Sequence, residues 1–396
     1  MSEIKIKSVK YLTDVTGAKQ TGKWDVYGTD LGAAVYSEKE NKMYFLFGDT
    51  IGDWEIDRSR PKVWRGCVAG YTSNLDFTNG IDWDGFVTDE KGHARELVIS
   101  HHCAAPHYEI SKITQGGIEV NGNLYFFYES IHHWGRGGTG DWYINYGGVI
   151  KSSDCGKTFE KVHDLSWVEP THDPQLLDNA ARLVKEDVYG NPTDVEFDVK
   201  SHIAPGFGQD YPADGKDGYI YVYGRLGGRY CGIKLCRVKK ENFETFSEYE
   251  YLTEYVDGQP VWKKYREGID AIIANPDKAD IVPGPTANMS VHYNEYLGKW
   301  LLFFYRQRVG IHLAVADNPY GPFTEPECVI PREHPDLLKF YPVPGEIPYN
   351  GLYGGFAHEK MNREGGKIVP ILVSNWYNIT KDSRFYGSRM FEIEFE

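Results

Sequence analysis

Gly122-Asn-Leu-Tyr-Phe-Phe-Tyr128 is a polar turn running into an unbroken aromatic-aliphatic stretch, and the chain repeats it. Its counterparts are Asn41-Lys-Met-Tyr-Phe-Leu-Phe47, Asp217-Gly-Tyr-Ile-Tyr-Val-Tyr223, Gly298-Lys-Trp-Leu-Leu-Phe-Phe304 and Gly366-Lys-Ile-Val-Pro-Ile-Leu372. Their first apolar residues, Met43, Leu124, Tyr219, Trp300 and Ile368, are spaced by 81, 95, 81 and 68 residues. Short runs of this kind, bounded by Gly, Asn or Asp, read as buried strands. A second run follows each: Cys67-Val-Ala-Gly-Tyr-Thr-Ser, Gly147-Gly-Val-Ile-Lys-Ser-Ser, Cys231-Gly-Ile-Lys-Leu-Cys-Arg-Val, Ile311-His-Leu-Ala-Val-Ala-Asp and Tyr386-Gly-Ser-Arg-Met-Phe-Glu-Ile. These read as third strands, each with a turn and an outer strand beyond it. Helical periodicity is weak, and Leu176 to Lys185 is its best candidate. Four strands per unit and five units predict an all-β, five-bladed β-propeller, its four-stranded antiparallel blades set around a central funnel. The blades are expected at about 20–90, 108–168, 200–255, 284–330 and 350–396 plus the N-terminal strand, in one domain spanning 1–396.

Composition excludes several classes. Lys and Arg number 43 against 57 Asp and Glu, a formal charge of −14 with no basic block, so a nucleic-acid surface is not expected. No apolar run approaches the roughly 20 residues of a membrane span. The start, Met1-Ser-Glu-Ile-Lys-Ile-Lys7, has neither the apolar centre nor the cleavage site of a signal peptide, which reads as cytoplasmic or as exported with a leader removed. The six cysteines form no Cys-x-x-Cys pair and read as reduced thiols. Nothing in the sequence specifies an oligomeric state.

Two turns sharpen the propeller reading. Ser152-Ser-Asp154-Cys-Gly156-Lys-Thr158-Phe159 resembles the Asp-box of sialidases and other propellers, a structural hairpin between the third and fourth strands of a blade. Ala316-Asp-Asn-Pro319-Tyr-Gly321-Pro-Phe323 resembles the same corner in five-bladed arabinanase-like glycosidases.

The first blade carries the sharpest chemical pattern. Trp24-Asp-Val-Tyr-Gly-Thr-Asp30-Leu-Gly-Ala-Ala-Val-Tyr36 enters the turn Ser37-Glu-Lys-Glu-Asn41, and the return strand ends in Phe47-Gly-Asp49-Thr50. A hairpin centred between Lys39 and Glu40 sets Asp30 opposite Asp49, with Cβ atoms roughly 4.5–5.5 Å apart. Two carboxyl groups at that range separate into a protonated donor and an ionised partner, as hydrolysis of a glycosidic bond requires. The spacing matches the roughly 5–5.5 Å of retaining glycosidases and not the 6.5–9.5 Å of inverting ones. Each Asp alone reads first as a turn residue that caps backbone amides, and only the pair in register brings the catalytic reading level with it.

The same pairing logic picks funnel positions elsewhere. Glu129 faces Thr114 or Gln115 in the second blade; Gln209 and Asp210 precede the strand turn of the third and Arg225 follows it. His292 is offered by the fourth blade and His358 by the fifth. Glu129 and Asp210 are reserve candidates for a third acidic role. Trp54 and Trp134 are candidate sugar platforms, since aromatic faces stack on sugar rings. His107 and the doublets His101-His102 and His132-His133 invite a metal reading. Adjacent strand residues point to opposite faces and no His-Glu-x-x-His occurs, so sugar contacts are expected, with no metal or cofactor beyond a structural Ca²⁺.

Tyr27-Gly-Thr-Asp30-Leu-Gly followed by Phe-Leu-Phe-Gly48-Asp49-Thr50 resembles the family catalogued as domain of unknown function 4185. Tyr353-Gly-Gly-Phe-Ala-His358, Val373-Ser-Asn-Trp376 and Tyr386-Gly-Ser-Arg389-Met are similar to that family's last blade. The resemblance implies an endo-D-arabinanase of glycoside hydrolase family 183, a five-bladed propeller cleaving α-linked D-arabinofuranose polymers, with Asp30 and Asp49 as its catalytic pair. The expected partner is thus an oligo- or polysaccharide. Three rivals stay open: a carbohydrate-binding propeller without catalysis, a sialidase, and a glycan phosphorylase using Arg225, Arg306 and Arg308.

Overall fold

Each of the five aromatic runs is the second strand of an antiparallel sheet. The computed structural model describes residues 4–53, 64–103, 105–135, 140–341, 351–377 and 384–396. The first sheet is Leu31–Ser37, Lys42–Phe47, Val68–Thr72 and Gly85–Phe86, and the second is Ser111–Val120, Asn123–His133, Tyr143–Ser152 and Glu160–Val168. The third runs Tyr211–Asp214, Tyr219–Gly224, Lys234–Lys239, Glu250–Val256 and Gln259–Lys264, and the fourth Met289–Asn294, Lys299–Arg306, Gly310–Ala316 and Glu327–Pro331. In the fifth, Tyr353–Ala357, Ile368–Trp376 and Tyr386–Phe395 are completed by the N-terminal strand Ile6–Asp14. These are the blades of a five-bladed β-propeller.

Local chemistry accounts for the turns. Asn121-Gly122 (φ 51° and 74°) closes a two-residue hairpin, the left-handed pair that only such residues adopt cheaply. Asp257-Gly258 (φ 50° and 75°) does the same and adds a fifth strand to the third blade, which the expected four-stranded pattern omits. Second strands are buried on both faces, so they read as continuous apolar runs without polar alternation. The expected helix is Pro174–Val184, starting two residues early because Asp173 caps the Gln175 N–H and Pro174 fills the first turn. A second helix, Tyr265–Ala274, follows the extra strand. Among the described residues no helix is long and apolar enough to cross a membrane.

Residue contacts divide the chain into two units. The first, 1–95 with 287–318 and 324–396, holds blades one, four and five. Serines tie its sheets together: Ser374 Oγ accepts from Leu31 N at 2.7 Å, Ser388 Oγ donates to Leu31 O, and Ser290 Oγ donates to Gly355 O. The terminal strands pair from Ile6↔Phe395 to Asp14↔Arg389, so the last blade contains both ends of the chain. The second unit, 96–286 with 319–323, holds blades two and three. Its sheets meet around Trp167, Phe207, Phe243, Phe246 and Tyr251. Close approach there requires glycine: a Cβ on Gly147 would lie 2.5 Å from the backbone of Gly208.

Candidate functional site

In the first blade the pairing Ala33↔Leu46 to Ser37↔Lys42 has the expected register. A bulge at Gly32 then slips it, so that Leu31 pairs with Phe47 and the Asp30 carbonyl accepts from Gly48 N at 3.1 Å. The original register returns at Gly28↔Ile51, where the Thr29 and Thr50 hydroxyls meet at 2.6 Å. Asp30 and Asp49 thus lie between two register shifts, not in a regular ladder. The left-handed φ of Leu31 (64°) beside Gly32 (117°) makes the bulge, and bulges of this kind re-aim neighbouring side chains.

Two tyrosines of the fifth blade hold this segment. The Tyr353 hydroxyl donates to Asp30 Oδ2 at 2.7 Å, and the Tyr386 hydroxyl donates to the Asp49 backbone carbonyl at 2.7 Å. Burial pushes the Tyr386 phenol well above its ordinary range, and the negative charges of Asp30, Tyr353 and Asp49 add to the push. One phenol therefore senses both aspartates. Asp49 is 5% exposed and Asp30 is half-buried. The sequence reading of the site left out both tyrosines, although Tyr353-Gly-Gly and Tyr386-Gly-Ser open strands whose starts meet the Asp30 hairpin end.

The second unit gathers four more candidates at the corresponding strand ends. Glu129, 1% exposed, has Ile113 as its backbone partner. The bulged residue Gln115 nevertheless donates its side-chain amide to Glu129 Oε1 at 2.7 Å, and Trp142 Nε1 reaches Oε2 at 3.2 Å. Burial raises the Glu129 carboxyl to about 8, against the pull of the Trp142 hydrogen bond and the Arg225 charge. Gln209 stands opposite Arg225, accepting from its guanidinium through Oε1 while Gln209 N donates to Arg225 O. Arg225 also donates to the carbonyls of Gly228 and Thr286, and burial draws it down to about 10. Asp210, 3% exposed, takes the Gly208 N–H on both oxygens, and burial raises it to about 8. These four form a sealed polar group.

The remaining candidates are scattered. His292 is buried against the Phe303 ring within its blade, and His358 caps the turn Glu359–Met361 at the opposite end of the strand that begins with Tyr353. Trp134 is partly exposed and packs edge-on against Trp142, centroids 5.5 Å apart. Trp54 lies outside the described residues. His107 stacks face to face on His101 at 3.9 Å, and His101 Nε2 lies 2.8 Å from Glu186. Among the described residues His101, His107 and Glu186 are the one trio whose donor atoms lie close enough to share a metal ion. Arg182 already bonds Glu186 at 2.7 Å and faces His107, and parallel stacked rings do not aim their nitrogen lone pairs at a common point. The Ser152–Thr158 turn lies between third and fourth strands; Asp154 accepts from the Thr158 N–H and hydroxyl, which hold its carboxyl down at about 2.

Solved structures align along most of the chain. A Bacteroides ovatus protein named only as a candidate hydrolase aligns with a TM-score of 0.56 at 13% identity, over 99% of this chain and 97% of that one. The α-L-arabinofuranosidase of Podospora anserina aligns at 0.45 and 9% identity, over 98% and 97%. A xylan β-1,4-xylosidase of Bacillus halodurans aligns at 0.44 and 10%, over 93% of this chain and 53% of its own. At 13% identity the likeness to the Bacteroides ovatus protein is one of fold. No curated protein matches. The profile of the family described as domain of unknown function DUF4185 matches residues 16–391, and the chain belongs to that family.

Proposed function

We propose that the protein is a glycoside hydrolase acting on a furanoside-containing glycan, α-D-arabinan foremost, with Asp30 and Asp49 as its acid pair. The observation that carries this reading is the shared anchoring of both aspartates by Tyr353 and Tyr386. Two acids at the open end of one hairpin, Asp30 held at its carboxyl by Tyr353 and Asp49 at its main chain by Tyr386, can divide proton donation and attack between them. Asp49, the more buried, is assigned to protonate the leaving oxygen. Asp30, oriented by the Tyr353 hydroxyl, is assigned to attack the anomeric carbon or to activate water. Glu129, Gln209, Asp210 and Arg225 are too enclosed to offer a substrate much surface, and no catalytic step is assigned to them. The resemblance of the Asp30 and Asp49 segments to arabinanases supports the substrate class.

The test is Asp30→Asn and Asp49→Asn, made singly and assayed on D-arabinan fragments with product detection. Each is expected to lower kcat by roughly 10²–10⁴-fold or more, the usual contribution of an acid or base. Near-wild-type turnover in either variant removes that residue from the mechanism. Tight glycan binding with no product from the unmodified protein would establish the binding-module alternative instead.

A further inference from the structure

The second blade carries a cavity that the acid pair does not use. It lies where Asn123–His133 ends, Tyr143–Ser152 begins and Glu160–Val168 ends, beside the first turn of helix Pro174–Val184. Its volume is about 190 Å³, and its lining includes His132, His133, Tyr143, Asn145, Glu169 and Leu176. That is below the roughly 300–1,000 Å³ of pockets that enclose drug-sized ligands, and suits a single small ring.

The rim is aromatic and open. Tyr143 is 57% exposed and lies nearly parallel to His133, at 5.1 Å and 19°. Tyr108, 47% exposed, lies parallel to His132 at 5.7 Å and 5°, and Trp134 is exposed on the same strand end. A soluble surface rarely sets several bare rings together without a partner to cover them. The floor, by contrast, is polar and rigid. Asn145 donates to Tyr108 O and Ser130 Oγ and accepts from Asn179, while Glu169 accepts from Ile144 N at 3.0 Å. Burial raises the Glu169 carboxyl to about 7, so near neutrality it either donates to or accepts from a hydroxyl. Flat apolar faces above and hydrogen-bonding groups beneath match the two surfaces of a sugar ring.

We propose that this cavity is an accessory glycan site, holding one sugar ring of a chain against Tyr143 and His133 over Glu169. The proposal rests on the reading that the protein handles glycans, but not on hydrolysis. Its occupant is a neutral saccharide: among the described residues no Lys or Arg lines the cavity to hold a phosphate or a uronic acid.

The experiment is isothermal titration of the Asp30→Asn protein with D-arabinan oligosaccharides and, in a second arm, with xylo- and cello-oligosaccharides. Tyr143→Ala and the cavity-filling Thr171→Trp are compared on that background. One of the two arms is expected to bind, and either substitution to weaken the accessory equivalent about three- to tenfold, the worth of one aromatic stack. Thr171→Trp blocks the cavity without removing the tyrosine, so a folding defect peculiar to one variant is recognised. Unchanged stoichiometry and affinity in both variants, or binding of neither sugar class, overturns the proposal. Binding lost with Tyr143 in a protein that hydrolyses nothing would uphold this site while rejecting the glycosidase reading.

Discussion

Tyr386 and Asp49, 337 residues apart in the chain, are joined by a 2.7 Å hydrogen bond from the phenol to the backbone carbonyl. The main chain of Asp49 is thereby fixed, and its carboxylate is aimed by an anchored backbone. Tyr353 treats Asp30 differently, bonding the carboxylate itself at 2.7 Å. One blade thus positions two acids by two kinds of contact.

Tyr386→Phe should keep the ring packing and leave the buried Asp49 carbonyl without its phenol. A stability loss of about 1–3 kcal/mol is expected, the desolvation cost of a buried acceptor. On D-arabinan, kcat should fall while KM changes little, because the phenol orients an acid and does not bind sugar. Urea denaturation and steady-state kinetics read the two effects. An unchanged kcat would confine Tyr386 to a structural part.

Glu129 predicts a pH dependence of stability. Its folded carboxyl titrates at about 8 against an ordinary 4.5, and Asp210 at about 8 against 3.8, so between these limits the folded state holds protons that the unfolded state has released. Stability should therefore decline as pH rises from about 4.5 towards 8, the decline from these two acids being complete above that. Lys161, drawn down to about 7 by burial, works in the opposite direction only above that pH. Glu129→Gln should flatten the decline, visible as a Tm profile less steep than that of the unmodified protein. Parallel profiles would mean that Glu129 ionises normally.

Gly147→Ala places a methyl 2.5 Å from the Gly208 backbone, whose N–H serves both oxygens of Asp210. Backbone must move on one side, at about 1–3 kcal/mol. Thermal unfolding should show the loss. Full stability would mean that the two blades separate easily.

Deleting residues up to Asp14 removes the outer strand of the last blade and exposes the Tyr386–Phe395 edge. Arg389 loses its ion pair with Asp14 at 3.1 Å, and Lys10 no longer meets Glu392. Unfolding free energy should drop by about 3 kcal/mol or more, with aggregation through the bare edge. Denaturant titration with light scattering checks both. A deletion variant as stable as the full chain would show that the strand is dispensable.

Strands and tight turns were legible because they are local. A run such as Tyr125-Phe-Phe-Tyr128 buries both faces wherever it sits, and Asn121-Gly122 turns for reasons contained in two residues. Repeat spacing then counted the blades. The helix at Pro174–Val184 was visible for the same reason, a cap and a periodic face lying within a dozen residues. The fifth strand of the third blade was missed although Asp257-Gly258 signals its hairpin, because its residues are half-exposed and carry no apolar run.

What the linear pattern determined about this protein is its strand content, its turns and the nearness of Asp30 to Asp49 along one hairpin. Which phenols hold those acids was decided only in three dimensions, since Tyr353 and Tyr386 arrive from more than 300 residues away. The register at Asp30 was likewise tertiary: a symmetric hairpin is the simplest reading of the letters, but the bulge at Gly32 is stabilised by Ser374 and Ser388 of another blade bonding Leu31. Partners at long range are chosen by packing, and packing is written in no single segment.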